Sequence, residues 1–191
     1  MAHDAASCRE DLRFATQAPH ERLHAHSGFS AVQDGTICLT DYRALLVRLY
    51  GFYLPFERAA DLDPVRTQWL ERDLTWLGLD PTSFPGMPRC ADLPPLPTPD
   101  HRLGALYVVE GSALGGRLLA RGLDPLLGPE SAEGRHFFLG RGGATGAAWR
   151  DYLHALATVD NHSQRRAVVF DAAILTFEVF EAWLEDWSAN A

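Results

Sequence analysis

Apolar side chains recur every three or four positions along most of this chain, the spacing that lines one face of an α-helix. CREDLRFATQAPHERLHAH, residues 8–26, puts Leu12, Ala15 or Thr16, Pro19 and Leu23 on such a stripe, with Asp11 near its start. Pro19 lacks an N–H and crowds the turn before it, so the pattern predicts a kink or a fresh helix start there. LTDYRALLVRLYGFYLPFERAA, 39–60, repeats the stripe, with Thr40 of a residue type that caps helix N-termini. VRTQWLERDLTWLGL, 65–79, reads as a third helix ended by Gly78. A proline-rich extended connection, 80–99, leads into a helix over about 99–122. A glycine-rich stretch, 128–146, separates it from TGAAWRDYLHALATV and a long final helix, SQRRAVVFDAAILTFEVFEAWLEDW. SAVQDGTICL, 30–39, fits a helix or a strand, and no convincing run alternates with period two. The expected fold is all-α, one helical domain over 1–191 with no repeat and no internal boundary.

Composition narrows the partners. A net charge of −8 argues against nucleic acid or an anionic membrane as the main partner. An anionic ligand must then be met by a few locally placed arginines. Cys8, Cys38 and Cys90 stand far apart with no CxxC pair, which fits a reducing cytoplasm. The N-terminus carries no secretory pattern, and Glu110 and Arg117 interrupt the apolar 103–123 stretch, so no membrane span is expected.

Three places carry candidate chemistry. HERLHAH supplies His20, His24 and His26; His20 and His24, four apart, share a helix face and have metal-clasping spacing. Exposed surface histidines with no ligand are the plain alternative, and a lone neutral imidazole can also bind haem iron. EGSALGG, 110–116, sets Gly111, Gly115 and Gly116 inside a helix, at a cost of about 3 kcal/mol relative to alanine. Such bareness serves close helix packing, or it lets a flat ligand lie against the main chain. Glu133 and His136 spell the ExxH of di-iron helices, but the segment is glycine-rich and has no second copy. GRGG at 140–143 follows no strand and is a weak phosphate-loop candidate.

Several stretches together resemble one family, the heme oxygenases. LRFATQAPHERL resembles their first helix, which carries a basic residue, Ala-Thr and the iron-binding histidine; LYVVEGSALGGRLLARGL resembles their distal helix. YGFYLPFE, WLERDLTWLGL and ATGAAWRDYL are similar to the bacterial branch often encoded beside bacteriophytochromes. The resemblance spans nearly the whole chain in order. It implies a haem held between a proximal first helix and a glycine-rich, kinked distal helix. It makes His20 the proximal iron ligand and the metal-binding residue, with Thr16 nearby. Gly111, Ser112, Gly115 and Gly116 would lie over the opposite porphyrin face as catalytic surroundings. Arg13 and Arg150 would meet the propionates, Tyr107 stands near a distal aromatic, and Phe177 and Phe180 would complete the apolar wall. The implied reaction opens haem to biliverdin with release of iron and carbon monoxide. It uses O2 and electrons from an external reductase or ferredoxin, and a bacteriophytochrome would receive the biliverdin.

Three positions depart from the family pattern. Ser112 stands where many animal members carry an aspartate, His24 where a glutamate commonly orients the proximal imidazole, and Pro19 directly precedes His20. Two other functions share the architecture: a haem or biliverdin carrier without turnover, and a helical metal–carboxylate enzyme.

Overall fold

The structure is a computed structural model that describes residues 7–129, 131–185 and 187. Among these residues there is no strand, and the all-α architecture read from the periodicity is what forms. The helices are α1 (Cys8–Ala15), α2 (Gln17–Ala25), α3 (Ser27–Gln33), α4 (Leu39–Ala59), α5 (Val65–Trp76) and α6 (Pro99–Gly122). They are followed by α7 (Asp124–Leu127), α8 (His136–Leu139), α9 (Thr145–Ala157) and α10 (Ser163–Glu185). Short 3-10 turns lie at Pro81–Gly86, inside the proline-rich connection, and at Gly142–Ala144, inside the glycine-rich stretch.

Local chemistry moves some boundaries. The first helix breaks at Thr16, upstream of the proline, and restarts as α2. Pro19 has no N–H to give the Ala15 carbonyl four residues back, so the ladder fails there and the chain turns one residue after Ala15. The Thr16 hydroxyl donates to the Leu12 carbonyl at 2.8 Å and closes the end of α1. Helix α4 starts one residue before Thr40: extended Cys38 is the cap, its Sγ accepting from the Asp41 N–H at 3.5 Å. The ambiguous 30–39 segment is the end of α3 and a turn at Gly35, whose φ of 70° suits a residue without a Cβ.

Helix α6 is the spine. A Cβ at Gly104 would strike the Val169 carbonyl and sit 2.9 Å from the Ala172 Cβ, so α6 and α10 touch backbone to backbone there. A Cβ at Gly122 would strike the Val32 carbonyl of α3. Buried side chains of α4, α5, α6 and α10 form the larger core cluster, with Phe52, Phe56, Leu70, Leu74 and Leu184 almost fully enclosed.

Buried charges tie the helices by their ends. Glu57 of α4, 1% exposed, takes the capping role that Pro64 cannot fill for α5. Its carboxylate accepts from the Arg66 N–H at 2.9 Å, the Thr67 N–H at 3.0 Å and the Thr67 hydroxyl at 2.6 Å. A carboxylate at a helix N-terminus also meets the positive end of the helix dipole. Asp73 of α5 accepts from the His136 and Phe137 N–H groups at 2.8 and 2.9 Å, pinning the start of α8. Burial pushes the Asp73 carboxyl up, against the pull of those donors and of the His136 ring. Arg135 closes the far end of α6, donating to the Ala120 carbonyl at 2.5 Å, to Asp124 at 2.5 Å and to the Gly128 carbonyl at 2.6 Å.

Replacing Glu57 by Ala leaves two N–H groups and the Thr67 hydroxyl unanswered in the core. It should lower the unfolding free energy by about 3 kcal/mol in a urea titration; a loss near zero would show that α5 caps itself. A second expectation concerns acid. The Arg165 guanidinium, bonded to Asp100 at 2.8 Å, holds that carboxyl below its ordinary value. A carboxyl depressed on folding contributes stability above its unfolded pKa and loses it as pH falls through the folded one. The melting-temperature gap between the parent and Asp100→Asn should therefore be present at neutral pH and shrink below about pH 4. A gap that is constant with pH would show the ion pair to be idle.

Candidate functional site

A cavity of about 470 Å³ opens between the α1–α2 segment and the middle of α6, closed by residues of α3, α4, α9 and α10. Aromatic and aliphatic side chains make most of its wall, including Phe29, Phe52, Tyr107, Trp149, Phe177 and Phe180. Polar groups gather along α1 and α2, where Arg13, Gln17, Glu21 and His24 line one flank. Arg13 is the only arginine or lysine among the described lining residues.

The three histidines of HERLHAH part company. His26 is consumed by the fold: its Nδ1 accepts from the Gly28 N–H at 3.2 Å and its Nε2 lies 3.0 Å from the Trp187 carbonyl. His20 and His24 both line the cavity, with ring centroids 4.5 Å apart. His20 is set by α2, whose buried Pro19 and Leu23 face the interior and turn residue 20 toward the opening. The edge of Phe177 lies against it at 6.4 Å between centroids. Burial and the neighbouring His24 hold the His20 imidazole below its ordinary pKa, against the weaker pull of Glu21. At neutral pH the ring is uncharged and carries a lone pair, as a metal ligand requires.

The glycines also divide. Gly115 has no atom within 4 Å of where a Cβ would be, and a Cβ at Gly111 would meet only the Trp149 ring at 3.8 Å. Both line the cavity with Ser112, whose hydroxyl donates to the Val109 carbonyl at 3.1 Å. Gly116 does not line it. A Cβ there would strike the Phe138 carbonyl, so its bareness lets α8 lie against α6. That packing contact accounts for the bareness of Gly116 within the protein itself. Helix α6 runs unbroken through the cluster.

Of the other expected residues, Arg13, Thr16, Tyr107, Phe177 and Phe180 reach the cavity. Arg150 does not: it is exposed on α9 with its guanidinium beside Gly146, and its neighbour Trp149 faces inward. The ExxH pair dissolves. Glu133 bonds Arg72 at 2.8 Å on the surface, His136 bonds Asp73, and no cluster able to hold a metal occurs among the described residues. Tyr53 went unnoticed in the sequence because it sits in an aromatic-rich helix indistinguishable from core. Its hydroxyl is pushed up by burial, and the residue lines the cavity wall together with Ser112. Glu110, beside Gly111, turns the other way and accepts from Arg66 at 2.6 Å.

Comparison with known proteins follows the same outline. A structure of heme oxygenase from Leptospira interrogans superposes with a TM-score of 0.71 at 16% identity, covering 95% of this chain and 100% of that one. That likeness establishes the fold. A search of curated proteins finds no match to the chain. The family model described as Heme oxygenase matches residues 6–186, nearly the full length. The chain belongs to the heme oxygenase family.

Proposed function

We propose that the cavity binds haem with His20 on the iron, and that the chain opens the macrocycle to biliverdin with release of iron and carbon monoxide. The family supports an oxidoreductase that degrades haem. One observation carries the finer reading: an uncharged, accessible His20 and the bare Gly111 and Gly115 line the same apolar cavity. The residues fit a flat apolar disc with carboxylates on one edge, since the walls are aromatic and the cation sits on one flank. When bound, haem supplies both the iron that handles O2 and the ring that is oxidised.

The protein's share is placement. His20 offers its lone pair to the metal from α2. Arg13 holds a propionate through a charge-assisted hydrogen bond, roughly twice as strong as a neutral one. Gly111 and Gly115 let main chain press on the opposite face. Burial keeps the Tyr53 hydroxyl protonated, and with Ser112 it holds a proton at that wall. Phe177 and Phe180 exclude water on the α10 side. Arg150, outside the lining, leaves the propionate grip to Arg13.

Electrons come from an external reductase or ferredoxin, as the family implies. Likeness to the branch encoded beside bacteriophytochromes supports such a photoreceptor as the recipient of biliverdin. Free Cys8, Cys38 and Cys90 support a cytoplasmic setting. No helix among the described residues is long and apolar enough to cross a membrane.

Aerobic incubation of the haem-loaded protein with a reductase should replace the haem absorption by a biliverdin band. Stable haem absorption with no product would make the chain a carrier. The two kinds of glycine should separate cleanly. Gly115→Leu should abolish haem binding in a titration while leaving urea stability unchanged or raised by up to about 1 kcal/mol. Gly116→Ala should cost about 2 kcal/mol of stability by displacing α8. The reverse pattern would place the ligand elsewhere.

A further inference from the structure

The cavity presents two accessible imidazoles. His20 and His24 both line it, one helical turn apart on α2, with ring centroids 4.5 Å apart. Neither ring makes a hydrogen bond among the described residues, in contrast to His26, whose nitrogens are both engaged by main chain. The opposite wall repeats the spacing. Gly111 and Gly115 are also one turn apart on α6; beyond them Leu118, 56% exposed, lines the same cavity without closing it. With the two rings 4.5 Å apart at one rim of a single cavity, a disc within reach of His20 is also within reach of His24.

We propose that His24 is a second axial ligand for haem iron, able to hold the macrocycle one turn away from the position defined by His20. The proposal rests on the haem-binding reading above and adds a residue to it. A neutral imidazole is a competent haem-iron ligand wherever a ring nitrogen is free to point at the metal. The two seats differ in what surrounds the ring. A haem on His24 brings a different stretch of its edge opposite Gly111 and Gly115, so the choice of ligand bears on which ring carbon meets the bare main chain.

The test is a haem titration of the full-length parent, His20→Ala, His24→Ala and the double variant. It is read by absorption and by the iron–histidine vibration of the reduced protein. Redundant ligands give strongly non-additive losses. Each single variant should keep a histidine-ligated spectrum and lose less than about tenfold in affinity, whereas the double variant should lose more than about a hundredfold. Both side chains are exposed, so the variants should keep the parent's circular dichroism. Added imidazole should return the histidine-type spectrum to the double variant. Histidine ligation in the parent but none in His20→Ala would overturn the proposal alone. A parent without a histidine-ligated spectrum would overturn the haem reading with it.

Discussion

An apolar slot facing water is a structure that the hydrophobic effect works to close. Everything at the site depends on α6 being unable to move into the gap. The helix is clamped by main-chain contact at Gly104 against α10, at Gly116 against α8 and at Gly122 against α3. Behind its middle, Glu110 bonds Arg66 at 2.6 Å, and Arg66 lies 3.8 Å from the Glu57 carboxylate that caps α5. Between the clamps at Gly104 and Gly116, Gly115 is left facing space and Gly111 faces only the Trp149 ring. Buried ion pairs contribute little net stability against well-packed apolar substitutes, yet losing one partner is costly. Here that property serves position: the chain of charges has one satisfied arrangement, and in it the cavity wall stands back.

Much of this was legible beforehand. Helix number, order and type follow from periodicity, because a buried stripe at 3.6-residue spacing outweighs local propensity over twenty residues. Boundaries were harder, since they turn on single contacts. Thr40 has the chemistry of a cap, but the extended backbone falls at Cys38, whose sulfur accepts instead. Pro19 signals a break, and the break occurs upstream, where its missing N–H is felt. At the site, residue types did not reveal which side of a helix faces the gap. Gly115 and Gly116 are identical in sequence terms and stand on different faces of α6. Arg150 and Trp149 are neighbours on α9, and only the tryptophan points inward. In sequence His26 is indistinguishable from its two companions; the Leu184 and Trp187 carbonyls that its ring meets are what set it apart.

The electrostatic character of the cavity follows from the same geometry. In a chain of net charge −8, the cavity lining carries one guanidinium among its described residues, on the same flank as Gln17, Glu21 and His24. Arg13 lies on the helix turn before Thr16, so its placement relative to His20 is governed by the α1–α2 break that Pro19 enforces. A straight helix through that point would rotate Arg13 relative to His20. The proline that looks awkward beside His20 is therefore what sets the angle between the His20 and Arg13 ends of the flank.

The glycine cluster then has two physical explanations, one for each side of the helix. Gly116 is structural, and its conformational cost is offset by the α8 packing it permits. Gly115 has no such return, since alanine there would meet nothing and would favour the helix, and Gly111 faces only the Trp149 ring. Gly115 thus destabilises its own helix relative to alanine with no packing contact to offset the cost. The part of α6 that packing alone leaves unexplained is the part that lines the cavity with His20.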